Sequence, residues 1–320
     1  MASSPSSTAF SSTNVGAGPK RVLICDAVAA DAIERMRAGG LTVDEKIGMN
    51  ADDLEAAIGD YDAVVVRSAT KIQARHVAAA KRMKVIVRGG VGVDNIDVAA
   101  AQAEGIRVLN TPGASSASVA ELALALMFAL ARQIPRADAS MKGGAWDKKT
   151  FAKGMELEGK TLGILGVGRI GRSLARKASG IGMVVIGTDP ALGTAGSIEG
   201  LTLLSPDEVY ARADLISLHM PRVAGTPAAI GREQLAQMKN GVFLVNCARG
   251  GVVDEAALLD ALESGKVAGA ALDVFEQEPP RDLKLVQHPR VIATPHVGAS
   301  TVEAQARVGM EVAEILLHEF

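Results

Sequence analysis

The sequence predicts an α/β protein made of two doubly wound parallel-sheet domains with a crevice between them. Three observations predict it. The chain has 320 residues, which at about 150 residues per domain gives roughly two domains. Short apolar strands alternate with amphipathic helices of about ten residues, the mark of βαβ units and parallel sheets. That alternation runs twice, and a long apolar helix divides the two runs.

Composition narrows the function classes. Hydrophobic residues make up 48% and charged ones 22%, so a wholly disordered chain is excluded. The formal net charge of −2 gives no pull toward nucleic acid or an anionic membrane, and neither is an expected partner. Two cysteines, Cys25 and Cys247, rule out a disulfide framework and a cysteine-rich zinc site. No metal is expected, and a reducing, cytoplasmic compartment fits. The longest apolar run, Leu122 to Ala131, has ten residues between Glu121 and Arg132, short of the roughly 20 that span a bilayer.

In chain order, residues 1–20 carry six serines, no acid and no hydrophobic period, which reads as a disordered tail. A transit peptide shares that composition but carries arginine, and no basic residue precedes Lys20. From Arg21 the strands are RVLICD, LTVDE, AVVVRS, KVIVRGG and RVLN, with helices between them. One sheet is thereby complete near Asn110. The helix SSASVAELALALMFALARQ follows a Pro112-Gly113 break and is apolar on nearly every side, as a helix buried between bodies would be. A second series begins at Lys160 with TLGILG, MVVIGTD, DLISLH, VFLVNC, AGAALDV and VIATPH, and a last helix ends the chain.

Gly166-Val-Gly168-Arg-Ile-Gly171 sits between the strand TLGILG and the helix RIGRSLARKA. Alone, GxGxxG is a weak signal in a chain with 34 glycines. In this strand–turn–helix context it is the Rossmann fingerprint. The first glycine makes the tight turn, the second admits the pyrophosphate, and the third lets helix and strand pack closely. Asp189, at the end of MVVIGTD, is the acid expected about 20 residues on to accept the ribose hydroxyls. Its charge would repel a 2′-phosphate, so the cofactor is NAD rather than NADP.

Arg249 follows the strand VFLVNC, Asp273 and Glu278 lie in ALDVFEQEPP, and His296 ends the strand VIATPH. All stand at sheet ends, where open α/β folds bind ligands. A guanidinium grips a carboxylate bidentately, an imidazole takes a hydroxyl proton, and a carboxylate orients the imidazole. Singly, a strand-end histidine or an arginine before Gly-Gly is as often structural; together they suit oxidation of a hydroxyl.

VRSAT (66–70), RGGVGVDNID (88–97), GVGRIG (166–171), NCARGGVVDE (246–255), ALDVFEQEPP (271–280) and TPHVGAS (294–300) resemble the D-2-hydroxyacid dehydrogenase family. The likeness runs from Arg21 to the C-terminus and is strongest to the branch acting on D-3-phosphoglycerate. It implies a substrate-binding domain of residues 21–110 plus 299–320 and an NAD-binding domain of residues 111–298. It also implies Arg249, Glu278 and His296 as catalytic residues. The cofactor would meet Val91, Gly166, Gly168, Arg169, Ile170, Gly171, Asp189, His219, Met220, Pro221, Cys247, Ala248, Arg249, Asp273, His296 and Gly298. Substrate would meet Arg67, Ser68, Gly89, Gly90, Val91, Gly92, Asn110, Arg249 and His296.

The chain departs from the family in two places: Met220-Pro221 stands where Thr-Pro is common, and Val91 where Thr is common. Arg67, Lys71, Arg132, Arg136 and Lys148 are the basic candidates for a substrate phosphate, Arg67 foremost. A homodimer or homotetramer is expected through the segment from the long helix to AWDKKTF, with Trp146 an interface anchor or a core residue. A regulatory domain beyond the last helix, and feedback through one, are not expected. The same site run in reverse would make a glyoxylate or hydroxypyruvate reductase. A different class, an NAD-sensing corepressor, keeps the same trio and would bind without turnover.

Overall fold

A computed structural model describes residues 18–194, 196–223 and 225–320. The expected N-terminal tail falls outside them but for its last three residues. The chain divides into two compact units. One runs to Thr111 and takes in Gly309–Phe320; the other is Pro112–Val308.

The first unit holds five parallel strands: β1 (Arg21–Ile24), β2 (Thr42–Glu45), β3 (Ala63–Val66), β4 (Val85–Arg88) and β5 (Arg107–Asn110). Their order is β2-β1-β3-β4-β5. β3 is the sequence AVVV with all four residues buried, as a strand covered on both faces requires. The connections are α1 (Ala30–Ala38), α2 (Ala51–Ile58), α3 (Ala74–Ala79) and α4 (Val98–Ala103). Asn50 starts α2 by accepting the N–H groups of Asp52 and Asp53, and Asp97 starts α4 by accepting that of Ala100. Leu23, Val64, Val66 and Ile86 form the core under α2 and α3.

The second unit holds β6 (Thr161–Leu165), β7 (Val184–Thr188), β8 (Ser197–Ile198), β9 (Leu201–Leu203), β10 (Leu215–Leu218), β11 (Val242–Asn246), β12 (Val267–Leu272) and β13 (Val291–Ala293). They form one sheet in the order β13-β12-β11-β10-β6-β7-β9-β8. All pairings are parallel except β8 with β9. The order reverses at β6, with β7 on one side and β10 on the other. The carboxyl ends there are where such sheets hold ligands. Helices α5 (Ser116–Arg132), α6 (Ile134–Lys142), α7 (Arg169–Gly180), α8 (Pro206–Arg212), α9 (Arg232–Gln237) and α10 (Glu255–Glu263) complete the unit.

Some expectations need correction. The strand VIATPH stops at Ala293, so His296 lies three residues beyond it, with φ +53°. The long apolar helix is α5. It belongs to the second unit and buries Val119, Ala123, Met127 and Leu130, yet Phe128 is 40% exposed. The last helix, α11 (Val302–Glu319), is divided between the units rather than belonging wholly to the first. Its early turns are tied to the second unit: Thr301 Oγ1 bonds Ser118 Oγ at 2.9 Å, and Arg307 Nε donates to Ala114 O. Its later turns bury Val312, Ala313 and Leu316, and a Cβ on Gly309 would sit 3.1 Å from that of Ala32 and 3.2 Å from that of Ala29, a tight fit.

Among the described residues no single helix is long and apolar enough to cross a membrane. Nor do three or more His, Cys, Asp or Glu side chains gather as a metal site would need.

Candidate active site

The glycine loop joins β6 to α7. Gly166 has φ +95°, and a Cβ there would lie 2.6 Å from His219 O. A Cβ on Gly171 would lie 2.2 Å from Gly166 O. Both positions therefore admit only glycine. Gly168, by contrast, has open space where its side chain would be, and no side chain caps α7. That leaves the helix's first N–H groups for an anion, and the three glycines fit a dinucleotide pyrophosphate. Asp189 Oδ2 accepts the Val167 N–H at 2.8 Å and Oδ1 that of Ala191 at 3.0 Å. The acid thus braces the glycine loop and stays partly open, as a ribose-binding carboxylate must.

His219 follows β10, with Nε2 2.9 Å from Ser217 Oγ. Burial pulls its pKa down to about 4, so the ring is neutral, and Nδ1 has no partner among the described residues. Met220 is partly buried and Pro221 exposed. Arg169 is exposed and Ile170 partly buried at the first turn of α7.

Arg249 stands three residues past β11. Asn246, 2% exposed, shapes that turn by accepting the Ala248 N–H at 3.0 Å and donating to Arg249 O at 3.1 Å. Gly250 is pressed against the next loop, where a Cβ would lie 1.7 Å from Phe275 O. The Arg249 and Glu278 loops are in this way held edge to edge. Arg249 Nη1 donates to Ala248 O, and its charge depresses the pKa of both Glu278 and His296.

His296 Nδ1 lies 2.7 Å from Glu278 Oε2, with both side chains partly exposed. The hydrogen bond to Glu278 raises the His296 pKa, against burial and the Arg249 charge. Burial alone would raise the Glu278 pKa; His296, the Phe275 N–H and Arg249 outweigh it and hold the carboxyl below its ordinary value. Phe275, Pro279, Val286 and Pro295 line a mostly apolar cavity beside the pair.

Asp273 is 1% exposed, and its carboxylate is spent on the loop that carries His296. Oδ1 accepts from Thr294 Oγ1 at 2.6 Å and Val297 N–H at 2.8 Å, and Oδ2 from Gly298 N–H at 2.8 Å. Asp273 thus braces the loop that carries His296. Cys247 and Ala248 are buried beneath the same turn, where burial and Asp273 push the Cys247 thiol up.

In the first unit, the candidate residues gather at the carboxyl ends of β3, β4 and β5. Arg67 and Ser68 follow β3, residues 89–92 follow β4, and Asn110 ends β5, donating to Val91 O. Asp26, Asn95 and Asn246 were missed by the sequence reading. Asn95 and Asn246 lie inside the motifs RGGVGVDNID and NCARGGVVDE, and Asp26 ends the strand run RVLICD, which was the available signal.

Residues 124–298 match the family model of the D-isomer specific 2-hydroxyacid dehydrogenase NAD-binding domain. The chain is 47% identical over 300 residues to the D-3-phosphoglycerate dehydrogenase of Archaeoglobus fulgidus, covering 93% of this chain and 57% of that protein. It thus spans little more than half the length of that relative. It is 50% identical over 275 residues to the hydroxypyruvate reductase of Thermotoga maritima, covering 85% of this chain and 89% of that one. A solved glyoxylate reductase from Paecilomyes thermophila superposes with a TM-score of 0.84 at 35% identity, over 93% of this chain and 94% of that one. The chain belongs to the D-isomer specific 2-hydroxyacid dehydrogenase family.

Proposed function

We propose that this chain oxidises D-3-phosphoglycerate to 3-phosphohydroxypyruvate with NAD, and runs the reverse reduction at the same site. This is the entry reaction of the phosphorylated route to serine. The observation that carries the reading is the 2.7 Å bond between His296 Nδ1 and Glu278 Oε2 beside Arg249.

In this reading the first unit binds substrate and the second binds NAD. NAD would rest on Gly166, Gly168 and Gly171, with Asp189 at the adenosine ribose, and when bound it supplies the hydride acceptor for C2. Glu278 occupies Nδ1 of His296, so Nε2 takes the C2 hydroxyl proton. Arg249 grips the carboxylate through two N–H groups and polarises the C2 oxygen as it becomes a carbonyl. Glu278 steadies the imidazolium that forms. In the reverse direction the imidazolium returns its proton to that oxygen. Arg67, Ser68, residues 89–92 and Asn110 complete the substrate contacts, with Arg67 on the phosphate.

The second reading is reduction of hydroxypyruvate or glyoxylate, favoured by the 50% identity to a hydroxypyruvate reductase. Phosphohydroxypyruvate and hydroxypyruvate differ by one phosphoryl group, so substrate comparison separates the readings. NADH formation is measured with D-3-phosphoglycerate, D-glycerate and D-lactate, NADH consumption with hydroxypyruvate and glyoxylate, and Arg249→Ala serves as control. A signal with phosphoglycerate that the control abolishes supports the first reading. Turnover of the unphosphorylated acids alone overturns it. NAD binding with no turnover points instead to a sensor.

A homodimer goes with the same reading. Helix α6 buries none of its nine residues, and Trp146, 80% exposed, follows it. Such a segment suits an interface between copies. Light scattering of Trp146→Glu tests this, and an unchanged mass overturns it. The buried free thiols of Cys25 and Cys247 suit a reducing, cytoplasmic location.

A further inference from the structure

We propose that Asp26 is a positioning residue that acts through Arg67, fixing the Arg67–Thr70 loop so that Arg67 is held ready for an anionic substrate. The inference rests on the reading of Arg67 as a substrate-binding residue.

Asp26 lies two residues past β1 and is 7% exposed. Its Oδ2 accepts the Arg67 N–H at 2.5 Å and the Thr70 N–H at 3.2 Å. Its Oδ1 accepts the Thr70 hydroxyl at 2.7 Å. Asn95 completes the clamp with opposite polarity, its Nδ2 donating to Arg67 O at 2.8 Å and Thr70 O at 2.6 Å. Donor and acceptor are thus fixed at both ends of a four-residue loop, while Ser68 and Ala69 stay exposed between them.

The side chain this clamp holds is unusual for a surface arginine. Arg67 Nη1 reaches Ala27 O at 3.3 Å, but Nε is shut from solvent and meets no acceptor among the described residues. Burial lowers the Arg67 pKa, and the Asp26 charge works against that. A guanidinium with a desolvated, unspent donor is completed by a carboxylate or phosphate oxygen.

Asp26 does not act as a ligand, because its oxygens are spent on the loop. Its negative charge opposes anion binding, whereas its hydrogen bonds favour it by ordering the loop beforehand. Charge and geometry therefore make opposite predictions. An Asn at this position keeps the shape: its amide oxygen takes the two backbone N–H groups, and its NH2 faces the Thr70 hydroxyl, which turns acceptor. Ala loses every bond.

The test compares steady-state kinetics of wild type, Asp26→Asn, Asp26→Ala, Arg67→Ala and the Asp26→Ala/Arg67→Ala double variant. Either D-3-phosphoglycerate or hydroxypyruvate serves, whichever turns over. Asp26→Ala is expected to raise KM for the acid about tenfold or more, with kcat and the KM for the nicotinamide cofactor within about threefold. Asp26→Asn is expected to recover most of that loss, and Asp26→Ala to add little once Arg67 is gone.

The proposal is overturned if Arg67→Ala raises KM but Asp26→Ala does not. It is overturned equally if Asn is as damaging as Ala, or if Asp26→Ala costs as much without Arg67. If Arg67→Ala leaves KM unchanged, the reading of Arg67 itself has failed and the inference falls with it. Should Asp26→Ala not fold, Thr70→Val removes one bond of the clamp and is expected to raise KM in the same direction. No rise there, with Arg67→Ala impaired, overturns the proposal.

Discussion

His296 Nδ1 is bonded to Glu278 Oε2 at 2.7 Å, while Glu278 Oε1 accepts the Phe275 N–H at 3.1 Å. The carboxylate is held at both oxygens and cannot swing away from the ring. That fixes which nitrogen of His296 is open, and it holds the folded-state pKa of His296 above its ordinary value.

Glu278→Gln removes the largest cause of that raised pKa. Oxidation needs neutral His296, so its kcat/KM climbs as pH rises through the raised value. The variant is expected to shift this acidic limb to lower pH and to narrow the range in which reduction is fast. An unmoved limb in a pH–rate profile would count against the pair.

The same pair makes a pH-dependent contribution to stability. The His296 part is fully present below about pH 6.5, the unfolded value, and is lost as pH rises through the raised folded value. The Glu278 part is present above about pH 4.3 and is lost as pH falls through the lowered folded value. Wild type minus Glu278→Gln in urea denaturation is therefore expected to be largest between those limits.

His296→Ala is expected to cut kcat by about 10²–10⁴-fold, the usual worth of a general acid–base group. Cofactor affinity, read by fluorescence titration, is expected to stay nearly unchanged, because the glycine loop lies on other elements. Equal loss of both would contradict the assignment.

Arg249→Lys keeps the charge but loses the fork of parallel donors. With a charge-assisted bond worth roughly 1.5–3 kcal/mol, kcat/KM is expected to fall at least about tenfold. A lysine enzyme equal to wild type would mean that Arg249 acts only as a point charge.

Asp189→Asn leaves an acceptor for the Val167 N–H and removes the charge. The ratio of NADP to NAD efficiency is expected to rise roughly tenfold or more, since repulsion of the 2′-phosphate is relieved. Rates with both cofactors check it.

Gly250→Ala would drive a methyl into Phe275 O, 1.7 Å from the ideal Cβ position. Relaxation is expected to cost about 1–3 kcal/mol and to lower the melting temperature by several degrees. Activity is expected to fall further than stability, because the Arg249 and Glu278 loops are pushed apart.

Much of this was legible beforehand, for identifiable reasons. Buried parallel strands announce themselves as runs such as AVVV, and Gly166 and Gly171 are dictated by close approaches that no other residue tolerates. The β8–β9 hairpin was not legible, because strands of two and three residues carry no period. The bracing role of Asp273 was not legible for a similar reason. A carboxylate in a site motif looks the same in sequence whether or not it also takes, as here, three donors from Thr294, Val297 and Gly298. The division of α11 was hidden too, since one unbroken helical pattern gives no sign that its two ends serve different cores.

That division bears on how the chain is made. Pro112–Val308 is continuous and can fold as soon as it leaves the ribosome. The unit begun at Arg21 includes Val312, Ala313 and Leu316, which are buried and are synthesised after the whole of the other unit. Until then the buried positions that those three side chains fill are without them. Removing the last helical turns is therefore expected to injure a unit whose strands are translated well before them.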